Sequence, residues 1–321
     1  MRKLILATSL LTVVLLALHF TACNNSDTKT SGRSTDDSLK QVLARGEYLA
    51  NNVANCIDCH SKRDFSKFAG PVIPGTEGGG GFAFTDKIGL PGIIYGRNIT
   101  PDKETGIGNW TDEEILRAMT HGISKTGDTL FPLMPYPNLN RLAKDDLLSI
   151  IAYIRTLKPI KNAVPKRELF IPIAMAYPGP ALQPTVDGNT RPPETDIINY
   201  GRYMITMADC GACHSPMGPE GPDMKRMYSG GHVFDLGTFK VVSANITPDS
   251  ATGIGTWTEK AFLDKFRNNA SHTNINRDPG KENSIMPWET FGKMKTEDLK
   301  AIYAYLRTVP AVTNKVEKWV K

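Results

Sequence analysis

The stretch Cys56-Ile57-Asp58-Cys59-His60 decides how this chain is read, and it recurs as Cys210-Gly211-Ala212-Cys213-His214. In a CxxCH pentapeptide the two thiols can each form a thioether with one vinyl group of a haem. The residue that follows lies under the iron, where an imidazole nitrogen can ligate it. Each pentapeptide therefore offers a tether and a proximal ligand together: Cys56, Cys59 and His60 for one haem c, and Cys210, Cys213 and His214 for a second. Other uses of paired cysteines compete. Disulfides are one. A CxxC redox site needs a βαβ context that is missing, and a zinc ribbon gathers four thiolates with no need of a histidine after each pair.

Working outward from the two pentapeptides, the surroundings repeat as well. Asn98-Ile99-Thr100-Pro101-Asp102 returns as Asn245-Ile246-Thr247-Pro248-Asp249, and Thr105-Gly106-Ile107-Gly108-Asn109-Trp110-Thr111 as Thr252-Gly253-Ile254-Gly255-Thr256-Trp257-Thr258. Met134-Pro135 is matched by Met286-Pro287, Ala152-Tyr153-Ile154-Arg155-Thr156 by Ala304-Tyr305-Leu306-Arg307-Thr308, and Gly46 and Tyr48 by Gly201 and Tyr203. The order is the same in both halves, which marks a duplicated domain with one haem in each copy.

Within a copy the elements read as short helices joined by long loops. The segment before each CxxCH is helical. Thr111-Asp112-Glu113-Glu114 is a capping box, and Thr258 opens the matching helix without the second acid. Leu147, Ile150, Ile151 and Ile154 fall at helical spacing in a final helix over 144–157, which stops before Pro159, and its counterpart starts at Thr296 and stops before Pro310. No run of alternating strand segments stands out. The expected class is all-α, with two tandem domains, 40–160 and 195–321. The proline- and glycine-rich stretch 161–194 joins them, and Phe170, Ile171, Ile173, Met175 and Tyr177 make it too apolar for a free tether, so it is expected to pack as an ordered connector.

A haem held by one histidine needs an identity for its other face. Methionine sulfur closes the site and raises the potential, whereas an open position permits peroxide or oxygen chemistry. Met134 and Met286 are the candidates, because the repeat selects the same residue twice among eleven methionines. His121 and His272 are rival ligands, and His232 has no counterpart and is unassigned. Gly78-Gly79-Gly80-Gly81 lacks the lysine and hydroxyl residue of a phosphate loop and reads as a flexible loop near the haem edge.

At the start of the chain, Arg2 and Lys3 followed by the apolar run Leu4–Leu18 form a signal segment over 1–22. Cys23 is the fifth cysteine, left over from the two motifs. It closes Phe20-Thr21-Ala22-Cys23, a lipobox-like sequence in which the cysteine carries a lipid, and the polar stretch 23–39 is expected as a tether. Formal net charge is +5, or +3 without Arg2 and Lys3, and no basic run interleaved with aromatic residues supports nucleic-acid binding.

CxxCH, NITPD, TGIGxWT and a downstream MPY or MPW together resemble the c-type cytochrome subunits of membrane-bound alcohol, gluconate and related sugar dehydrogenases. The resemblance covers most of both halves. It implies class I cytochrome c-like domains, two haem c groups here against the three domains typical of those subunits, and attachment of haem outside the cytoplasm. It also implies that loops holding Asn98, Trp110, Asn245 and Trp257 border the haem propionates, to which asparagine and tryptophan can donate hydrogen bonds. The expected protein is an exported, lipid-anchored dihaem cytochrome facing the periplasm. It would pass electrons from a dehydrogenase or quinol-oxidising complex to a terminal acceptor without bond chemistry of its own. A dihaem enzyme of the cytochrome c peroxidase type is the alternative, which the symmetric Met134/Met286 pattern disfavours.

Overall fold

The structure, a computed structural model, describes residues 35–177, 185–218 and 221–319. The signal segment, Cys23 and residues 24–34 of the expected tether lie outside them. The chain divides into two compact units, Met1–Lys40 and Gln41–Lys321. The described part of the first is the opening of helix α1 (Thr35–Tyr48), so residues 35–39, expected as tether, are helical.

The second unit contains both repeats. In the first, α1 leads through a π-helical turn (Leu49–Val53) to the one-turn α2 (Cys56–Cys59), then α3 (Asp112–His121), α4 (Tyr136–Leu139) and α5 (Lys144–Ile154). The second contains α6 (Ile197–Met207), α7 (Cys210–Cys213), α8 (Glu259–Asn269), α9 (His272–Ile275), α10 (Trp288–Phe291) and α11 (Thr296–Leu306). The π-helical turn has a sequence cause. Gly46 precedes Cys56 by ten residues, whereas Gly201 precedes Cys210 by nine, and the turn absorbs the extra residue while keeping the helix running.

Local chemistry explains the main helices. Thr111 and Glu114 close a reciprocal capping box on α3, and Thr258 alone caps α8 through Ala261 N. Leu147, Ile150, Ile151 and Ile154 on α5 all face inward. Gly46 and Gly201 let the first and last helices of each repeat touch backbone to backbone. A Cβ at Gly46 would stand 1.8 Å from Ser149 O, and one at Gly201 would stand 1.9 Å from Ala301 O. The two repeats share a buried cluster: Leu49, Leu147 and Ile151 belong to it together with Met204, Leu299 and Ile302.

The expected all-α class is corrected. Helix accounts for only 36 % of the structure, and short antiparallel sheets hold the loops. Strand β1 (Ala83–Phe84) pairs with β2 (Gly92–Tyr95), which also pairs with β3 (Glu168–Leu169) from the connector. In the second repeat β4 (Met217–Gly218) pairs with β5 (Gly221–Pro222), and β6 (Val233–Asp235) with β7 (Lys240–Val242). The cause is visible in the residues: Ile93, Ile94 and Tyr95, and Val233, Phe234, Val241 and Val242, favour the pleated backbone, and Gly237 at φ 82° turns the second hairpin. The runs are too short to show an alternating period.

The connector is ordered at its start, where Arg97 donates to Val164 O at 3.1 Å and Pro165 O at 2.6 Å. Farther on, Phe170 and Met175 are 73 % and 74 % exposed, so the apolar character expected to pack it inward is only partly used.

Candidate functional site

Each CxxCH forms one helical turn entered through a left-handed residue, Asn55 at φ 55° and Asp209 at φ 52°. That conformation breaks the preceding helix and turns the chain so that the histidine ends the motif. Both residues tolerate it because a short polar side chain suits the left-handed region.

The histidines are then oriented by backbone. His60 Nδ1 donates to Arg97 O at 2.7 Å, and His214 Nδ1 donates to Ala244 O at 2.7 Å. A carbonyl can only accept, so the proton sits on Nδ1 and the lone pair of Nε2 is left for a metal. Burial holds both imidazoles below their usual pKa, against the smaller effect of those carbonyls, so each ring is neutral, as a ligand must be. Behind the rings, Gly80 N donates to His60 O at 2.7 Å and Gly230 N to His214 O at 2.6 Å. The stretch Gly78 to Gly81, expected as a flexible loop, is therefore pinned to the motif. Gly80, at φ 72°, approaches so closely that a Cβ would lie 2.6 Å from Gly96 O.

None of Cys56, Cys59, Cys210 and Cys213 is disulfide-bonded. Burial pushes the Cys56, Cys59 and Cys213 thiols up to about 12 and Cys210 farther up, so they are not the activated thiolates of a redox CxxC site. The same groups retain accessible surface. Among the described residues no group of three or more His, Cys, Asp or Glu could hold a bare metal ion. Two thiols one helical turn apart beside a neutral imidazole with a free Nε2 fit an iron porphyrin instead.

Met134 and Met286 are partly buried against the shared core. Each is followed by a tight reversal, Tyr136 N donating to Met134 O and Trp288 N to Met286 O, both at 2.7 Å, which starts α4 and α10. These short helices cross to the other repeat: α4 packs on α6, and α10 on the turn Leu49–Val53. Asn138 on α4 donates to Asp209 Oδ1 at 2.7 Å, and Thr290 on α10 hydrogen-bonds Asp58. The short helix after each methionine is thereby seated against the opposite attachment motif, a juxtaposition that no sequence spacing signals. Of the other histidines, His121 Nδ1 is engaged by Thr120 Oγ1 at 2.8 Å, and His272 is exposed at the start of α9. His232 is buried, donates from Nε2 to Ile88 O at 3.2 Å and stacks on Phe234, a bridge between the repeats.

Asn98 and Asn245, on the loops expected to border haem propionates, are bonded to the protein itself. Asn98 donates to Thr105 Oγ1 and Ile160 O at 3.0 and 2.7 Å and accepts from Thr100 N and Oγ1. Asn245 does the same with Thr252 Oγ1, Val312 O and Thr247. Their amide protons are spent on tying the NITPD loop to the chain after the last helix of each repeat. Trp110 and Trp257 pack partly buried against the core.

Comparison with known proteins sets this arrangement in context. Residues 198–310 match the cytochrome c family, whose domain implies covalently bound haem c. The chain as a whole is similar to cytochrome subunits of dehydrogenases. It is 28 % identical to the gluconate 2-dehydrogenase cytochrome c subunit of Pantoea cypripedii, over 94 % of this chain and 65 % of that protein. It is 31 % identical to the fructose dehydrogenase cytochrome subunit of Gluconobacter japonicus, over 95 % of this chain and 59 % of that protein. A diheme cytochrome c-type protein of Cereibacter sphaeroides is 29 % identical over 85 % of this chain and 88 % of its own length. The chain thus spans less than two thirds of the two dehydrogenase subunits.

Proposed function

We propose that the chain is a dihaem electron carrier with haem domains over 40–160 and 195–321 and a connector over 161–194. Cys56 and Cys59 would hold one haem, with His60 and Met134 as ligands to its iron; Cys210 and Cys213 would hold the other, with His214 and Met286. The observation that carries the reading is the duplicated Nδ1-to-carbonyl bond, which frees Nε2 of His60 and His214 alike. When bound, the haem supplies one-electron iron chemistry. The Arg97 and Ala244 carbonyls aim each imidazole; the cysteines would tether the haem by thioethers, and the methionine sulfurs would keep peroxide and oxygen from its iron.

Likeness to dehydrogenase cytochrome subunits supports a membrane-associated dehydrogenase or quinol-oxidising complex as electron source, with a downstream acceptor. Such redox encounters are weak and brief. Cys23 is the lipid anchor of an exported protein facing the periplasm, and no helix among the described residues is long and apolar enough to cross a membrane.

Near-infrared spectra of the oxidised protein test the reading through the methionine-to-ferric charge-transfer band. Wild type should show two haems' worth, and Met134→Ala and Met286→Ala should each lose half. A haem without the band that binds peroxide would instead favour an enzyme.

A further inference from the structure

The two attachment motifs differ in how their carboxylates are compensated. Asp58, inside the first, pairs with Arg63 at 3.6 Å and is hydrogen-bonded by Thr290 from the opposite repeat. Asp209, directly before Cys210, has the neutral amide of Asn138 as its hydrogen-bond partner, again from the opposite repeat. The titratable groups facing it are Cys210 and Cys213 on its own turn, Cys59 on the first attachment turn and Tyr228 on the following loop; the Asp58–Arg63 pair lies against Cys59. Haem attachment converts the cysteines to uncharged thioethers, and burial keeps the Tyr228 phenol protonated. A carboxylate is thus held, without the cation Asp58 enjoys, where both attachment motifs meet.

We propose that Asp209 binds a proton when the second haem site takes up an electron. A proton from water bonds to a carboxylate oxygen as one electron arrives from the redox partner, and the O–H bond breaks again when the electron is passed on. The inference rests on the reading that Cys210, Cys213 and His214 hold a haem. Its physical basis is charge: reduction adds one negative charge beside a poorly solvated carboxylate, which favours its neutral form. Burial, opposed by the Asn138 bond, pushes Asp209 up to about 7, so the exchange falls in the physiological range.

Spectroelectrochemical titration of the haem-loaded protein from pH 5 to 9 tests this. One haem of the wild type should lose up to tenfold in its reduction equilibrium per pH unit around neutrality, about 59 mV for a one-electron couple. Redox-induced infrared difference spectra should show a protonated carboxyl appearing on reduction. Asp209→Asn should flatten the potential and remove that signal, while Asn138→Ala, which deletes the bond favouring the carboxylate, should move the sloping region to higher pH. A wild-type potential independent of pH, or a slope that survives in Asp209→Asn, overturns the proposal. Haem content by mass is read in parallel. A second motif without haem defeats the functional reading; two bound haems with a flat potential defeat this inference alone.

Discussion

Tyr203 donates its phenol proton to Asp146 Oδ2 at 2.7 Å, and its repeat counterpart Tyr48 donates to Asp298, so the two bonds cross the repeat in opposite directions. Each carboxylate lies on the final helix of the other half. Arg45 grips Asp146 with two bonds of 2.9 Å and Arg191 adds a third at 3.0 Å, while Tyr200 supports Asp298 at 2.8 Å. Each of these buried carboxylates thus draws part of its hydrogen bonding from the other repeat.

The halves should consequently unfold together. Tyr203→Phe is expected to cost about 1 kcal/mol, because two arginines still satisfy Asp146. Asp146→Ala leaves the Arg45 charge uncompensated and should cost about 3–5 kcal/mol. Urea unfolding followed by far-ultraviolet circular dichroism and by haem absorbance should give coincident single transitions. Two separate transitions would show that the seam does not couple the halves.

Acid should weaken the same seam. Burial tends to raise the Asp146 pKa, but Arg45, with Tyr203 and Arg191, outweighs it, so the carboxyl titrates below its ordinary range. A depressed carboxylate stabilises the fold above the unfolded value of about 3.9, and that contribution disappears as pH falls from there through the folded value. Between about pH 5 and pH 2, stability of Asp146→Asn should fall less steeply than that of wild type, as read from denaturation midpoints at each pH.

Close helix crossings predict a sharp glycine contrast. Gly46→Ala and Gly201→Ala force a methyl into backbone carbonyls and should each cost about 1–3 kcal/mol or more. Gly218→Ala would meet Gly221 O at 3.5 Å, ordinary contact, and should change stability by about 0.5 kcal/mol or less. Thermal unfolding of the three variants decides it; equal effects would refute the assigned crossings.

Asn98→Ala and Asn245→Ala separate loop bracing from haem contact. Each leaves buried hydroxyl and carbonyl partners unpaired, and a loss of about 2–3 kcal/mol is expected, with haem potentials unchanged. A shifted potential with intact stability would support the propionate role.

Much of the chemistry was written locally. Cys56, Cys59 and His60 and their repeat counterparts are neighbours on one turn of chain, so covalent spacing alone dictates what they can hold. The capping box at Thr111 and the apolar face of α5 likewise depend on residues within a few positions of one another. The all-α reading failed because strands of two to four residues carry no period; only pairing partners brought in by folding, such as Glu168 and Leu169 beside β2, define them. The bonding of Asn98 and Asn245 was not legible for a related reason, since an amide's partners Ile160 and Val312 lie more than sixty residues away. Tautomer and seam were decided only by tertiary structure. The carbonyls of Arg97 and Ala244, the Tyr203–Asp146 bond and the Asn138–Asp209 bond join groups far apart in the chain. Hydrogen bonding is sensitive to fractions of an ångström, which sequence spacing does not encode.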